Sequence, residues 1–159
     1  MTKSVQADWQ GELRFELASG SGGVSAADGK PGAEAFKPTE LVLAALASCS
    51  AMDVISILSK KRQPVETYRV RVTAETRSEH PRVFTEITVE HVLGGNGIDP
   101  QAVSRSIELS ALQYCPVTAI VSAGEARVRH RYSVNPGDGE QRDVVVITGP
   151  RGAVERPDA

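Results

Sequence analysis

Cys49 and Cys115 are the only two thiols in 159 residues. A pair this sparse builds no disulfide scaffold, but it can cycle between dithiol and disulfide. Cys49 lies in the longest apolar run, Glu40–Ile55. On a helix it shares a face with Ala45, Leu46, Met52 and Asp53. Apolar surroundings raise a thiol pKa and keep it inert, so Cys49 needs a cation from another element to react. Cys115 stands directly before Pro116. With proline at the first helical position, Cys115 falls at the N-cap of a short helix over 116–123, where unpaired N–H groups favour a thiolate. Local physics therefore makes Cys115 the more acidic thiol. Two plainer readings stay open: Cys49 as a small core hydrophobe and Cys115 as a chance N-cap.

Other reactive residue types form no comparable constellation. His80, His91 and His130 match none of the HxxH, HExxH or CxxC spacings, so no metal and no cofactor is expected. His91 and His130 share strand faces with apolar residues and read as hydrogen-bonded core histidines. Ser48 and Ser50 lack the glycines of a nucleophile elbow, and no phosphate loop is present. Arg69/Arg71 and Arg127/Arg129/Arg131 alternate along strands opposite Glu75, Glu86 and Glu90. Cross-strand charge pairing accounts for them better than nucleic acid does, since aromatics make up only 4% of the chain and offer no stacking platform.

The elements that must position the thiols follow from periodicity. Val5, Ala7 and Trp9, then Leu13, Phe15 and Leu17, predict two short strands about Gln10-Gly11. The Gly- and Ser-rich stretch Ala18–Lys37 reads as a long mobile loop. Pro38-Thr39-Glu40 opens a long helix that Lys60-Lys61-Arg62 close and Pro64 stops. It is apolar on nearly every face up to Leu58, more than one sheet can cover. Tyr68–Glu75 and Val83–Glu90 alternate as an antiparallel hairpin, and Gly94-Gly95-Asn96-Gly97 ends the second strand. Asp99-Pro100 starts a helix carrying Ala102, Val103, Ile107, Ala111 and Tyr114. A short helix over Val117–Ala123 and a strand over Ala126–Val134 complete an α+β order with antiparallel pairing. Residues 1–134 read as a single domain. Residues 135–159 read as a C-terminal extension in which Val144-Val145-Val146-Ile147 adds an edge strand or the chain trails as a flexible tail.

The length fits one domain, and a formal net charge of −2 does not suit nucleic acid or anionic lipid. The first residues carry no apolar signal segment, which favours a cytoplasmic location. Asp53 within the apolar run argues against a membrane span.

The string Pro38-Thr39-Glu40-Leu41-Val42-Leu43-Ala44-Ala45-Leu46-Ala47-Ser48-Cys49, with Ser50-Ala51-Met52-Asp53-Val54, resembles the central-helix motif of the OsmC/Ohr family of osmotically inducible and organic hydroperoxide resistance proteins. His80-Pro81-Arg82-Val83-Phe84-Thr85, Ile107-Glu108-Leu109-Ser110 and Tyr114-Cys115-Pro116-Val117 are similar as well, most of all to the OsmC-like branch. The resemblance covers about residues 5–134.

It implies an OsmC-like α+β fold, with antiparallel sheets wrapped around two long central helices in an intertwined homodimer. It also implies a thiol-dependent peroxidase acting on organic hydroperoxides in oxidative stress defence. Cys49 would be the attacking thiol and Cys115 its disulfide partner, which reverses the acidity order drawn from local physics. Reduction would come from a dithiol such as a lipoylated protein, with no nucleic acid and no membrane involved. In the family an arginine ionises the attacking thiol and a glutamate holds that arginine. Arg14 is the only arginine of the N-terminal strands, and Glu40 lies one residue after the place, here Thr39, that the Ohr pattern gives to glutamate. That offset turns the side chain roughly 100° about the helix. Glu40 as that glutamate or as a helix-dipole partner, and Arg14 as activator or as a solvent-facing strand residue, are both open. A non-catalytic redox sensor or small-ligand-binding dimer is the alternative on the same scaffold.

Overall fold

The computed structural model describes residues 2–137 and 139–157. These divide into two compact units, one up to Val42 and one from Leu43.

The first unit is a three-stranded antiparallel sheet of β1 (Val5–Trp9), β2 (Arg14–Ser19) and β3 (Val24–Asp28). Trp9 lies opposite Phe15, and Phe15 opposite Ala27. The expected long loop over Ala18–Lys37 is thus corrected, because β3 lies inside it. Its small residues carry no apolar alternation, but the turn from Ser19 to Gly23 folds them back on β2. Gly22 takes a φ of 91° there, and Ser19 Oγ accepts from the Gly23 N–H at 2.9 Å.

Helix α1 (Pro38–Lys60) starts and stops where the sequence predicts. The Glu40 carboxylate accepts from the Lys37 N–H at 2.8 Å, as in the return half of a capping box. Arg62, at a φ of 55°, turns the chain out, and the Gln63 N–H donates back to the Leu58 carbonyl.

The second unit carries a five-stranded sheet in the order β4 (Thr67–Thr76), β5 (Phe84–Gly94), β6 (Arg127–Val134), β7 (Gln141–Thr148) and β8 (Val154–Glu155). Between β5 and β6 run α2 (Pro100–Leu109), a π-helical turn (Ser110–Tyr114) and α3 (Pro116–Ser122). This crossover returns the chain to its starting end, so β5 and β6 pair in parallel while the other neighbours are antiparallel. The apolar segment 144–147 is not an edge strand. It lies in β7, paired with β6, and Val145, Val146, Ile147 and Thr148 are buried. The short β8 takes the edge.

Leu46, Ser50, Val54 and Leu58 of α1 are buried, and they divide the core in two. Leu46 joins Ile87, Val89, Val128 and Cys115 in one apolar cluster. Val54 and Leu58 join Leu93, Val103, Ile107 and Val146 in the other. Ser50 on α1, His91 on β5 and His130 on β6 each fall in sequence between members of the two clusters, and all three are fully buried. The arginine rows pair as the register predicts: Glu90 lies 3.8 Å from Arg71 and 3.2 Å from Arg131.

The start of α2 is equally legible. Asp99 Oδ1 accepts from the Gln101 N–H at 2.9 Å, with Pro100 at the first position. Asp99→Ala should lower stability by about 1 kcal/mol. A urea transition with an unchanged midpoint would contradict this role.

Candidate functional site

Both cysteines belong to the second unit, and the fold brings them together from separate elements. Cys49 is partly buried at mid-α1, and Cys115 is 3% exposed at the N-cap of α3. Asp53, one helical turn after Cys49, completes a cluster. The two sulfurs and a carboxylate oxygen of Asp53 all lie within 4.8 Å of one another. Both thiols are free. Cys115 caps α3 as the sequence predicts, with its Sγ accepting from the Thr118 N–H at 3.3 Å.

The setting of Cys49 opposes ionisation. Its pKa is pushed up to about 11, first by burial and then by a hydrogen bond to Cys115 that favours the protonated thiol. The charges of Cys115 and Asp53 act in the same direction, and only the backbone N–H of Val117 opposes them. No cation is among the described groups acting on this thiol. The sequence expectation of an apolar, weakly acidic Cys49 agrees with this environment.

Asp53 sits in the cluster through a contact the sequence did not suggest. Ser110 Oγ donates to Asp53 Oδ2 at 3.0 Å from the first residue of the π-helical turn. Asp53 also lines a cleft of about 530 Å³ with Ser56, Ile57, Lys60, Leu109 and Tyr114. The apolar flanks of Ile57, Leu109 and Tyr114 make it suitable for a small organic molecule.

The other two expected site residues lie in the first unit. Arg14 is on β2, half exposed, with its guanidinium 3.7 Å from Asp28. Glu40 is occupied by its capping contact with Lys37.

A model described as OsmC-like protein matches residues 29–131. The chain belongs to the OsmC-like family. Protein YhfA of Escherichia coli (strain K12) is 40% identical over 126 residues, covering 79% of this chain and 93% of that protein. A hypothetical protein of Aquifex aeolicus VF5 superposes with a TM-score of 0.75 at 28% identity, over 85% of this chain and 97% of that one. An organic hydroperoxide resistance protein OsmC of Legionella pneumophila has a TM-score of 0.61 at 16% identity, over 84% and 98% of the two chains. That last likeness shares the fold.

This OsmC-like core also holds an aromatic column with two fully buried histidines. Tyr68, His91 and His130 stack with neighbouring ring centroids 6.1 Å apart. Tyr68 Oη lies 2.7 Å from His91 Nδ1. Burial, then the charge of Asp53, raises the Tyr68 pKa, so the phenol stays protonated beside the imidazole. His91 Nε2 and both nitrogens of His130 have no partner among the described residues. The expectation of hydrogen-bonded core histidines therefore holds for His91, through Tyr68, and fails for His130, which is buried without a partner among the described residues. Burial pushes both histidines down, His91 to about 3 with help from His130, and His130 to about 4. Alternation along β5 and β6 could place them inward, but it could not say what would meet their ring nitrogens.

Proposed function

We propose that the protein is a thiol-dependent peroxidase that reduces organic hydroperoxides through Cys49 and Cys115. The observation that carries this reading is the approach of the two sulfurs to within 4.8 Å in a chain with no other thiol. Cys49 attacks the terminal peroxide oxygen as a thiolate, the O–O bond breaks and the alcohol leaves. The resulting sulfenic acid condenses with the Cys115 thiol, losing water and forming the disulfide. A dithiol, such as a lipoylated protein, returns the pair to the reduced state by exchange. The cleft beside Asp53 suits the organic part of the substrate, with Ile57, Leu109 and Tyr114 available to meet a small apolar group.

The test is to mix reduced protein with one equivalent of cumene hydroperoxide. A mass lower by two hydrogens, mapped to a Cys49–Cys115 linkage, supports the reading. Oxidation at the uncatalysed rate of a free thiol would reject it.

The active form is a homodimer. Of the 23 residues of α1 only four are buried, although it is the one described helix long and apolar enough to cross a membrane. Its outward positions include Ala45, Ser48 and Met52, small or flexible residues that let a second α1 pack closely. A second copy, rather than lipid, covers this face of a cytoplasmic protein, since Asp53 and Lys60 are on the same helix. Met52 is 64% exposed in the single chain, and Met52→Glu should convert the dimer to a monomer at micromolar concentration. Sedimentation velocity reads this directly, and a monomeric wild type would refute the dimer. In that dimer Arg14 is the cation that ionises Cys49, and Glu40 is the carboxylate that holds Arg14.

The raised pKa of Cys49 favours a second reading, a redox sensor or small-ligand-binding dimer without rapid turnover. Sustained turnover with a lipoyl dithiol would remove it.

A further inference from the structure

We propose that Cys49, Asp53 and Cys115 bind a thiophilic divalent metal ion, zinc(II) before other metals, with both cysteines held as thiolates. Two sulfurs and one carboxylate oxygen lie within 4.8 Å of one another. A tetrahedral zinc with bonds of about 2.3 Å to sulfur spaces its sulfur ligands about 3.8 Å apart. The donor atoms thus need to move by only about 1 Å, within reach of side-chain rotation.

The ligands stand on rigid elements. Cys49 and Asp53 are one turn apart on the same face of α1, and Cys115 is fixed at the start of α3. Such an i, i+4 pair on a helix with a third ligand from elsewhere is a recurrent metal-site geometry. The neighbours that orient the ligands are also in place. Ser110 Oγ donates to Asp53 Oδ2 and leaves Oδ1 free of that bond, and the Thr118 N–H donates to Cys115 Sγ. Ser110 and Thr118 are both fully buried.

Charge points the same way. All three groups are anionic when deprotonated, and the described groups acting on Cys49 include no cation. A divalent ion supplies the missing positive charge, and two thiolates select zinc over magnesium or calcium. Asp53, one of the three ligands, also lines the open cleft. Metal ligation and disulfide formation use the same sulfurs and exclude each other, so zinc would also regulate the redox pair. The site itself does not depend on peroxidase activity.

The test uses the full chain reduced with a phosphine, titrated with zinc chloride against a chromophoric chelator, with bound metal counted after gel filtration. One zinc per chain is expected. Cys49→Ser and Cys115→Ser should each weaken binding by about 100-fold, and Asp53→Asn by about 10-fold or more. Wild-type affinity in any of the three, or less than half an equivalent bound by the wild type, would overturn the site. Circular dichroism of the metal-free variants checks folding. Should one not fold, cobalt(II) chloride added to the wild type decides. Thiolate-to-cobalt charge-transfer bands with tetrahedral d–d bands support the site, and their absence overturns it. Hydroperoxide turnover is assayed separately on metal-free protein, so the two proposals can fail independently.

Discussion

Cys49→Ser should reduce hydroperoxide consumption by about 1000-fold or more, the scale expected when a nucleophile is lost. A serine hydroxyl has nearly the size of the thiol but is not ionised near neutral pH and is a poor nucleophile toward peroxide. Cys115→Ser should behave differently. It should give a single turnover that leaves Cys49 as a sulfenic acid, trapped by dimedone, and then stall because no second thiol closes the disulfide. Stopped-flow peroxide consumption with mass analysis separates the two outcomes. Full activity in Cys49→Ser would end the assignment.

The wild-type pH profile carries more information. In the single chain, with its pKa near 11, only about one Cys49 in ten thousand is a thiolate at pH 7. If assembly brings no cation to Cys49, the rate rises about tenfold per pH unit from 7 towards 10. A rate already level at pH 7 would instead mean that the assembled protein supplies a cation. In that case Arg14→Gln should restore the steep profile.

Acidification from pH 7 to pH 4 should destabilise the protein by about 3 kcal/mol for each of His91 and His130. Both are fully buried, with folded pKa values lowered to about 3 and about 4. The unfolded chain titrates near 6.5. A depressed folded value means that the contribution is fully present above about pH 6.5 and is lost as pH falls through the window toward 4 and then 3. Unfolding then takes up protons that the folded core refuses. Urea transitions at pH 7.0, 5.5 and 4.5 measure this, and a stability flat across that range would contradict it. His130→Leu sharpens the test. Neither ring nitrogen has a partner among the described residues, so the variant should lie within about 1 kcal/mol of wild type at pH 7. It should also remove about half of the acid sensitivity.

Several elements were readable because their signals are local. Pro38 to Lys60 announces α1 by its proline start, its early glutamate and its basic end. Asp99-Pro100 and Cys115-Pro116 announce two N-caps, and both side chains accept the expected backbone N–H. The β4–β5 hairpin follows from strict alternation on both sides of a polar turn. β3 was hidden because Val24–Asp28 is short and built of small residues, and its pairing comes from β2 rather than from its own pattern. β7 was under-read for the converse reason. Its apolar core lies between Gly- and Pro-rich stretches that resemble a tail, and only the partner strand shows it to be interior.

The sequence by itself determined which residues could react and the local setting of each thiol, because caps, helix faces and apolar runs are properties of neighbours in the chain. It also determined the family, since two cysteine-centred motifs survive as contiguous strings. Only the tertiary structure decided that Cys49, Asp53 and Cys115 share one cluster, and that Ser110 holds the carboxylate. It alone decided that His91 and His130 stack in the core and that β5 and β6 run parallel. These relations join residues dozens of positions apart. They are fixed by the packing of α1 on the sheet and by the return path of α2 and α3, to which no local pattern is sensitive.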